Sequence, residues 1–303
     1  MSLSPEVKQA LMNTGLKLTF DEPMKNHTSF QTGGAADVFI SPKNTNEIKS
    51  AIDTLKKLSV PYCIIGNGTN LLVSDNGIRG SVIQICHDMC DIRIENDTIY
   101  AGAGALLSSV ASKALASSLS GFEKLSGIPG TIGGAISMNA GAYGAQISDV
   151  LVSSSYIDSD GNIGVYTSDE HDFGYRKSIY SKSDKIITDA VFKLSPASHD
   201  EIKSQMSLHL KKRRDKQPLN FPSAGSVFKR PEGYFAGELI EKAGLKGYCI
   251  GGACVSEKHA GFIINTGDAT SDDIMSLIKH IQKVVYEKNN VTLECEIKML
   301  GDF

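Results

Sequence analysis

The first residues in this chain able to do chemistry are glycines. Three glycine-rich turns follow strand-like segments: Gly66-Asn67-Gly68-Thr69-Asn70, Gly102-Ala103-Gly104, and Gly127 through Gly134, the last within SGIPGTIGGAISMNAGAYGA (126–145), which holds six glycines and no Lys, Arg, Asp, Glu or His. Glycine permits positive φ and close approach of a ligand, and the N–H groups of such turns bind phosphate oxygens without a cationic side chain. The set reads as a dinucleotide site made of backbone, although any one turn alone reads as a tight turn in a β-rich domain. A Walker A loop is excluded, because no GK stands next to Ser or Thr. IIGNGTNLL and YAGAGALLS each place Leu where a GxGxxG fingerprint needs its last glycine.

The polar candidates are dispersed. Ser226 in SAGSVF follows a glycine, as turn serines do, and Arg176 in FGYRKS follows a loop. If 291–300 is a strand, Val291, Leu293, Cys295, Ile297 and Met299 face one way, with Glu294 and Glu296 on the other side. Alternation does not choose between the two carboxylates. In the basic run 211–214, helical spacing of about 100° per residue puts Ile202, Met206, Leu210 and Arg213 on one stripe, with Arg214 at its margin. Arg213 therefore faces protein or ligand, where it meets either an anion or a half-buried ion-pair partner. Six scattered cysteines contain no CxxC pair, and CHDMC at 86–90 has no second half-site, so free thiols are expected rather than a disulfide framework or a metal centre.

The elements that must carry these residues are a mixed set. DVFI, a helical pattern over 47–58 and YCII suggest a βαβ unit. DIRIE with TIYAG, and LVSSSYID with IGVYT, read as hairpins; a small-residue helix over 106–118 leads into the long glycine stretch, and KIITDAVFKL reads as a strand. A polar joint at Ser195-Pro196 precedes a charged helix over 200–217, and the domain boundary is expected there. Beyond it come a helix near 235–243, the strand GFIIN, and a helix over 273–287 with Thr270 and Asp273 spaced as a capping box. Hairpins mixed with helices favour an α+β fold over a doubly wound sheet. The 303 residues allow about two domains, 1–195 (lobes of about 1–80 and 81–195) and 196–303. A net charge of -3 argues against a nucleic-acid partner. No leader-like N-terminus and no long apolar run is seen, so a cytoplasmic protein without a membrane anchor is expected.

Several motifs together carry a more specific resemblance. IIGNGTNLLVSD, SGIPGTIGGAISMNAGAYG, FGYRKSIY, QPLNFPSAGSVFKRP, KHAGFIIN and LECEIKML resemble, in order and spacing, the bacterial UDP-N-acetylenolpyruvoylglucosamine reductases, from about Asn26 to Leu300. The resemblance implies a two-lobed FAD-binding region of the p-cresol methylhydroxylase and vanillyl-alcohol oxidase type, followed by an α+β substrate-binding domain. It implies a UDP-sugar substrate, NADPH as hydride donor, and noncovalent FAD, since GNGTN lacks the histidine of covalent relatives. A monomer or weak oligomer is expected.

Reduction of an enol ether conjugated to a carboxylate needs a hydride donor, electrophilic stabilisation of the enolate and a proton donor. By resemblance, Arg176 stabilises the enolate, Ser226 donates the proton and Glu296 assists. The expected flavin-binding positions are Gly66, Asn67, Gly68, Thr69, Asn70 and Leu71, with Gly127, Ile128, Pro129, Gly130, Thr131, Gly133, Gly134, Ala135, Asn139, Gly141 and Ala142, the amides of 127–135 facing the pyrophosphate. Arg213, Arg214, Lys229, Arg230, Lys258 and His259 are the expected substrate contacts, and no metal site is expected. The 50 positions from Arg176 to Ser226 resemble the subgroup without an inserted tyrosine-bearing loop, so another mobile element must cover the substrate. The rival readings are a sugar oxidase or dehydrogenase on the same flavin fold and a non-catalytic nucleotide-sugar binder.

Overall fold

A computed structural model describes residues 3–303. The chain forms two units, each assembled from separated segments. Unit one comprises the described residues of Met1–Thr19 with Val38–Asn67 and Gly80–Arg213, and unit two comprises Phe20–Asp37, Gly68–Arg79 and Arg214–Phe303. The packing boundary thus differs from the one expected at 195–196. The polar joint there marks the start of a helix that remains with unit one, because Ile202 and His209 on that helix are buried.

In unit one, helix α1 (Pro5–Met12) is capped by the Ser4 side chain, and α2 (Thr45–Lys57) by the Asn44 side chain, which accepts from Glu47 N at 3.0 Å. Ile48, Ala51, Ile52 and Leu55 bury one face of α2. The strand Tyr62–Ile65 pairs in parallel with the Ser81–Gln84 part of Ile78–Gln84. That strand lies between Ala35–Ile40 and Tyr62–Ile65 in the sheet order, so the expected βαβ crossover skips one strand. Both expected hairpins form, and they belong to one antiparallel sheet in the order Ile163–Thr167, Leu151–Ile157, Ile186–Lys193, Thr98–Gly102, Ile92–Glu95. Helix α3 (Leu107–Ala116), short helix α4 (Ile132–Ser137) and the charged helix α5 (His199–Lys216) as far as Arg213 complete the unit.

Unit two is built around α6 (Ala236–Lys242), α7 (Ser271–Asn289) and an antiparallel sheet of Cys249–Ile250, Ala253–Val255 and Ile263–Asn265. The capping box is present: Asp273 N donates to Thr270 Oγ1 and Thr270 N to Asp273 Oδ2, both at 3.0 Å. Ile274, Leu277, Ile278, Ile281 and Val285 of α7 are buried with Phe30, Val227 and Ile297, each contributing about 2 kcal/mol of transfer free energy. The expected strand over 291–300 is reduced to Lys298–Leu300, parallel to Leu71–Val73. The residues before it run beside 227–229, where Glu296 N donates to Val227 O at 2.7 Å and Lys229 N to Glu294 O at 2.8 Å. A segment that changes partners midway cannot keep one ladder.

The expectation of free thiols is corrected at one pair. Cys249 and Cys254 stand opposite each other in a hairpin and are joined by a disulfide, while Cys63, Cys86, Cys90 and Cys295 are free. A spacing of five says nothing until the turn at Gly251, with φ +53, brings the strands face to face. Among the described residues no helix is long and apolar enough to cross a membrane, and no cluster of His, Cys, Asp and Glu is arranged to hold a metal.

Candidate active site

The third glycine turn meets both of the others in unit one. Asn67 Nδ2 donates to Pro129 O at 3.1 Å, and a Cβ on Gly66 would lie 2.4 Å from Thr131 Oγ1. Here the missing side chain lets two loops touch. The second turn lies against the third and uses its polar groups internally: Gly133 N donates to Ala103 O at 2.8 Å, Gly102 N to Asp91 O and Gly104 N to Met89 O. The 127–135 cradle is narrower than expected, since the amides of Ile128, Ile132, Gly133, Gly134 and Ala135 all donate within the protein. The amides of Asn67, Gly127, Gly130 and Thr131 have no protein acceptor among the described residues. Four unpartnered donors with no acidic side chain in the stretch 126–145 form a fitting surface for an anionic diphosphate.

Helix α5 packs on this stretch. A Cβ on Gly127 would lie 2.5 Å from Arg213 Cδ and 3.4 Å from Leu210 Cδ2. The inward stripe of α5 is Ile202, Met206, His209 and Arg213; Leu210, expected on it, is 40% exposed, and His209 takes its place. His209 packs against Tyr143 with the rings tilted by 32° and their centroids 4.8 Å apart, and its buried Nδ1 has no partner among the described residues. Burial lowers the pKa of the half-buried Arg213 guanidinium, as it does for any cation moved out of water. Arg214, one residue on and in unit two, is exposed.

Arg176 is half-buried at the tip of a turn closed by Gly174 and Lys177, and its Nη2 donates to Gly141 O at 3.1 Å. Gly141 and Ala142 pair with Ala145 and Gln146 around Tyr143 (φ +55) and Gly144 (φ +80), two positive-φ residues of the type that tight hairpins require. The turn bearing Arg176 is flanked by a buried network: His171 Nδ1 donates to Thr167 O at 2.6 Å, Ser154 Oγ donates to His171 Nε2 at 2.7 Å, and the Tyr180 hydroxyl donates to Ser154 Oγ at 2.7 Å. Burial pushes the Tyr180 phenol up to about 12 and lowers His171. With all three side chains buried, the Ser-His pair is structural and out of reach of a substrate.

In unit two, Ser226 is half-buried and bridged to Phe262, one residue from the Val227 carbonyl that holds Glu296 N. Glu296 O in turn accepts from Asn70 Nδ2 at 3.2 Å. Glu294 and Glu296, equivalent by alternation, differ here: Glu294 is exposed and paired with Lys229 at 3.1 Å, whereas Glu296 is half-buried. A Cβ on Gly261 would lie 3.3 Å from Ser226 Oγ and 3.1 Å from His259 Nδ1, so the histidine ring and the serine hydroxyl border the same point. His259 Nδ1 accepts from Gly261 N at 3.1 Å, which leaves the ring proton on Nε2, and burial lowers its pKa. Arg230 stacks 4.0 Å from the centroid of the Phe235 ring, and Lys258 donates to Arg214 O. Gly68 has φ +65, and a Cβ there would lie 1.8 Å from His27 O, so only glycine fits; Thr69 follows it, and Leu71 pairs with Lys298.

Residues 217–300 match the family model described as UDP-N-acetylenolpyruvoylglucosamine reductase, C-terminal domain, and residues 36–165 match an FAD binding domain. The chain is 51% identical over 286 residues to the UDP-N-acetylenolpyruvoylglucosamine reductase of Caldanaerobacter subterraneus subsp. tengcongensis, covering 94% of each chain. It is 49% identical over 300 residues to that of Agathobacter rectalis, covering 95% of each. Among solved structures, the UDP-N-acetylenolpyruvylglucosamine reductase of Thermus caldophilus is similar with a TM-score of 0.81 at 32% identity, over 94% of this chain and 99% of that one. An alkyldihydroxyacetonephosphate synthase shares the fold over 64% of this chain and 41% of its own, with a TM-score of 0.50 and 17% identity.

Proposed function

The chain belongs to the UDP-N-acetylenolpyruvoylglucosamine reductase family, and from that premise we propose how its residues share the work of that reaction. The protein is an FAD-dependent oxidoreductase that uses NADPH to reduce the enolpyruvyl group of UDP-N-acetylglucosamine enolpyruvate to UDP-N-acetylmuramate, a step of peptidoglycan precursor synthesis. The observation that carries this reading is identity at half the positions over 94% of both chains. The FAD-binding domain is of the p-cresol methylhydroxylase and vanillyl-alcohol oxidase type.

The unpartnered amides of Asn67, Gly127, Gly130 and Thr131 support unit one as the holder of the flavin diphosphate, and the lack of a histidine in GNGTN supports a noncovalent flavin. In unit one, Gly66 and the positions from Ile128 to Ala135, with Gly141 and Ala142, shape the contact through tight turns, whereas Asn139 is buried with its side-chain amide used inside the protein and is given no part in it. FAD held there would provide the redox chemistry that passes a hydride from NADPH to the enolpyruvyl group. Addition at the β-carbon leaves negative charge on the α-carbon and carboxylate. The Arg176 guanidinium holds that carboxylate through fixed N–H donors and takes up the enolate charge. Ser226 gives its hydroxyl proton to the α-carbon, and Glu296 assists that protonation. A serine hydroxyl is a weak acid, so the transfer requires a neighbouring charge or hydrogen-bond donor that stabilises the alkoxide as the proton leaves.

Arg213 is the strongest candidate for an anion contact in unit one, being half-buried with no carboxylate paired to it among the described residues. Arg214 is open to solvent and equally suited to a phosphate. Lys229, Arg230 and Lys258 are engaged with Glu294, Tyr234 O and Arg214 O, and each keeps further N–H donors for the UDP-sugar. The direct test mixes the purified protein with FAD, NADPH and UDP-N-acetylglucosamine enolpyruvate and follows NADPH absorbance. Substrate-dependent oxidation is expected; its absence overturns the assignment. Oxygen consumption driven by a free sugar would favour the sugar-oxidase reading instead.

A further inference from the structure

The turn that carries Arg176 is held from outside itself. Its own bonds, Gly174 N to Lys177 O at 3.1 Å and Lys177 N to Gly174 O at 3.3 Å, close four residues around Arg176, whose φ is +56. An arginine in the left-handed region is uncommon and persists only where its surroundings hold it. On the C-terminal side, Ser178 Oγ and Ser181 Oγ both donate to Ser137 O at 2.9 Å. On the N-terminal side the tie is Asn139, which is 1% exposed with φ +41. Its Nδ2 donates to Gly174 O and to Gln146 Oε1, each at 3.2 Å, while its Oδ1 accepts from Ser148 N at 3.1 Å. Both amide hydrogens of Asn139 are thereby used inside the protein.

We infer that Asn139 is a positioning residue for Arg176, clamping the base of its turn to the glycine-rich stretch so that the guanidinium keeps one direction. The inference rests on the reading of Arg176 as the group that holds the substrate carboxylate. Two features of the clamp need asparagine. It must accept positive φ, which Asn does more readily than other side chains, and it must present two N–H donors to two carbonyl-type oxygens while its own oxygen takes an amide. The resemblance offers Asn139 as a flavin-binding position, and nothing in SMNAGAYG points to a tie with the turn of Arg176.

Asn139→Asp keeps the size, the tolerance of positive φ and the oxygen used by Ser148, and removes both N–H donors. Asn139→Gly keeps only the backbone freedom, so a fold lost in one variant leaves the other to decide. On FAD-loaded protein, rapid mixing separates flavin reduction by NADPH from its reoxidation by UDP-N-acetylglucosamine enolpyruvate. Both variants are expected to retain FAD and near-parental reduction, and to be reoxidised roughly 10- to 100-fold more slowly. Combined with Arg176→Ala, either should add no more than about a twofold further loss, because the two residues act as one unit. Hydrogen exchange of the Gly174 and Lys177 amides in the same protein should be at least about tenfold faster. Parental reoxidation, losses that multiply in the double variants, unchanged exchange, or a defect confined to FAD binding each overturn the inference. If Arg176→Ala itself reoxidises at the parental rate, the assignment of Arg176 falls and the inference with it; an impaired Arg176→Ala beside unimpaired Asn139 variants overturns the inference alone.

Discussion

Ser226, Glu294 and Glu296 make the sharpest comparison among single residues. Ser226→Ala is expected to leave FAD content and reduction by NADPH intact while slowing product formation roughly 100- to 10,000-fold, the usual worth of a positioned proton donor. Product analysis after one turnover checks it, and parental yield and rate would remove Ser226 from the role. Glu296→Gln should likewise slow that step. Glu294→Gln should change it by less than about threefold, since an exposed pair with Lys229 is worth about 0–1 kcal/mol. A larger effect at Glu294 would reverse the assignment. Nothing in the alternation of 291–300 distinguishes the two; the distinction arises because Lys229 lies beside one and Val227 O beside the backbone of the other. For Arg213→Glu, a raised KM for the UDP-sugar is expected at parental FAD content. Lost FAD with an unchanged KM would move Arg213 to the cofactor.

At the scale of elements, the glycine turns separate a conformational requirement from a spatial one. Gly144 has φ +80 with nothing near its missing Cβ, so Gly144→Ala should cost only the price of left-handed backbone, about 1–2 kcal/mol. Gly68 has φ +65 and in addition a carbonyl 1.8 Å from the Cβ position, so Gly68→Ala must displace backbone and should destabilise clearly more. Urea unfolding of both variants measures the difference, and equal losses would contradict the close approach. The positions of all three turns were legible from residue types. Their tasks were not, because whether a turn's amides face a ligand or a neighbouring carbonyl depends on a partner from elsewhere in the chain. The second turn is the example: Gly102 and Gly104 donate to Asp91 and Met89 and are spoken for.

For the whole molecule, stability should depend on pH through its buried histidines. Burial lowers His171 below its ordinary 6.5, so the unfolded chain binds the proton more readily than the folded one. The contribution is therefore fully present above about pH 6.5 and is lost as pH falls from there through the depressed folded value. Urea midpoints taken between about pH 8 and 5 should fall on the acid side, and His171→Gln, though less stable throughout, should show a shallower fall. Parallel pH profiles for the two proteins would contradict the assignment. The two-unit division also appears only at this scale. Residues 20–37 and 68–79 belong with 214–303 rather than with their neighbours in sequence, which no local change of composition announces.

What the sequence by itself determined was local: the helices and hairpins, the capping box of α7, the glycine turns, and a set of motifs specific enough to name a family. Those depend on periodicity, capping and φ preference, which act over a few residues. Only the tertiary structure decided which residues meet across the chain. It set Glu296 apart from Glu294, put His209 rather than Leu210 on the inner face of α5, joined Cys249 to Cys254, and tied Asn139 to the turn of Arg176. Each of those outcomes is a contact whose partner is fixed by packing rather than by spacing, and so it had no local signature to read.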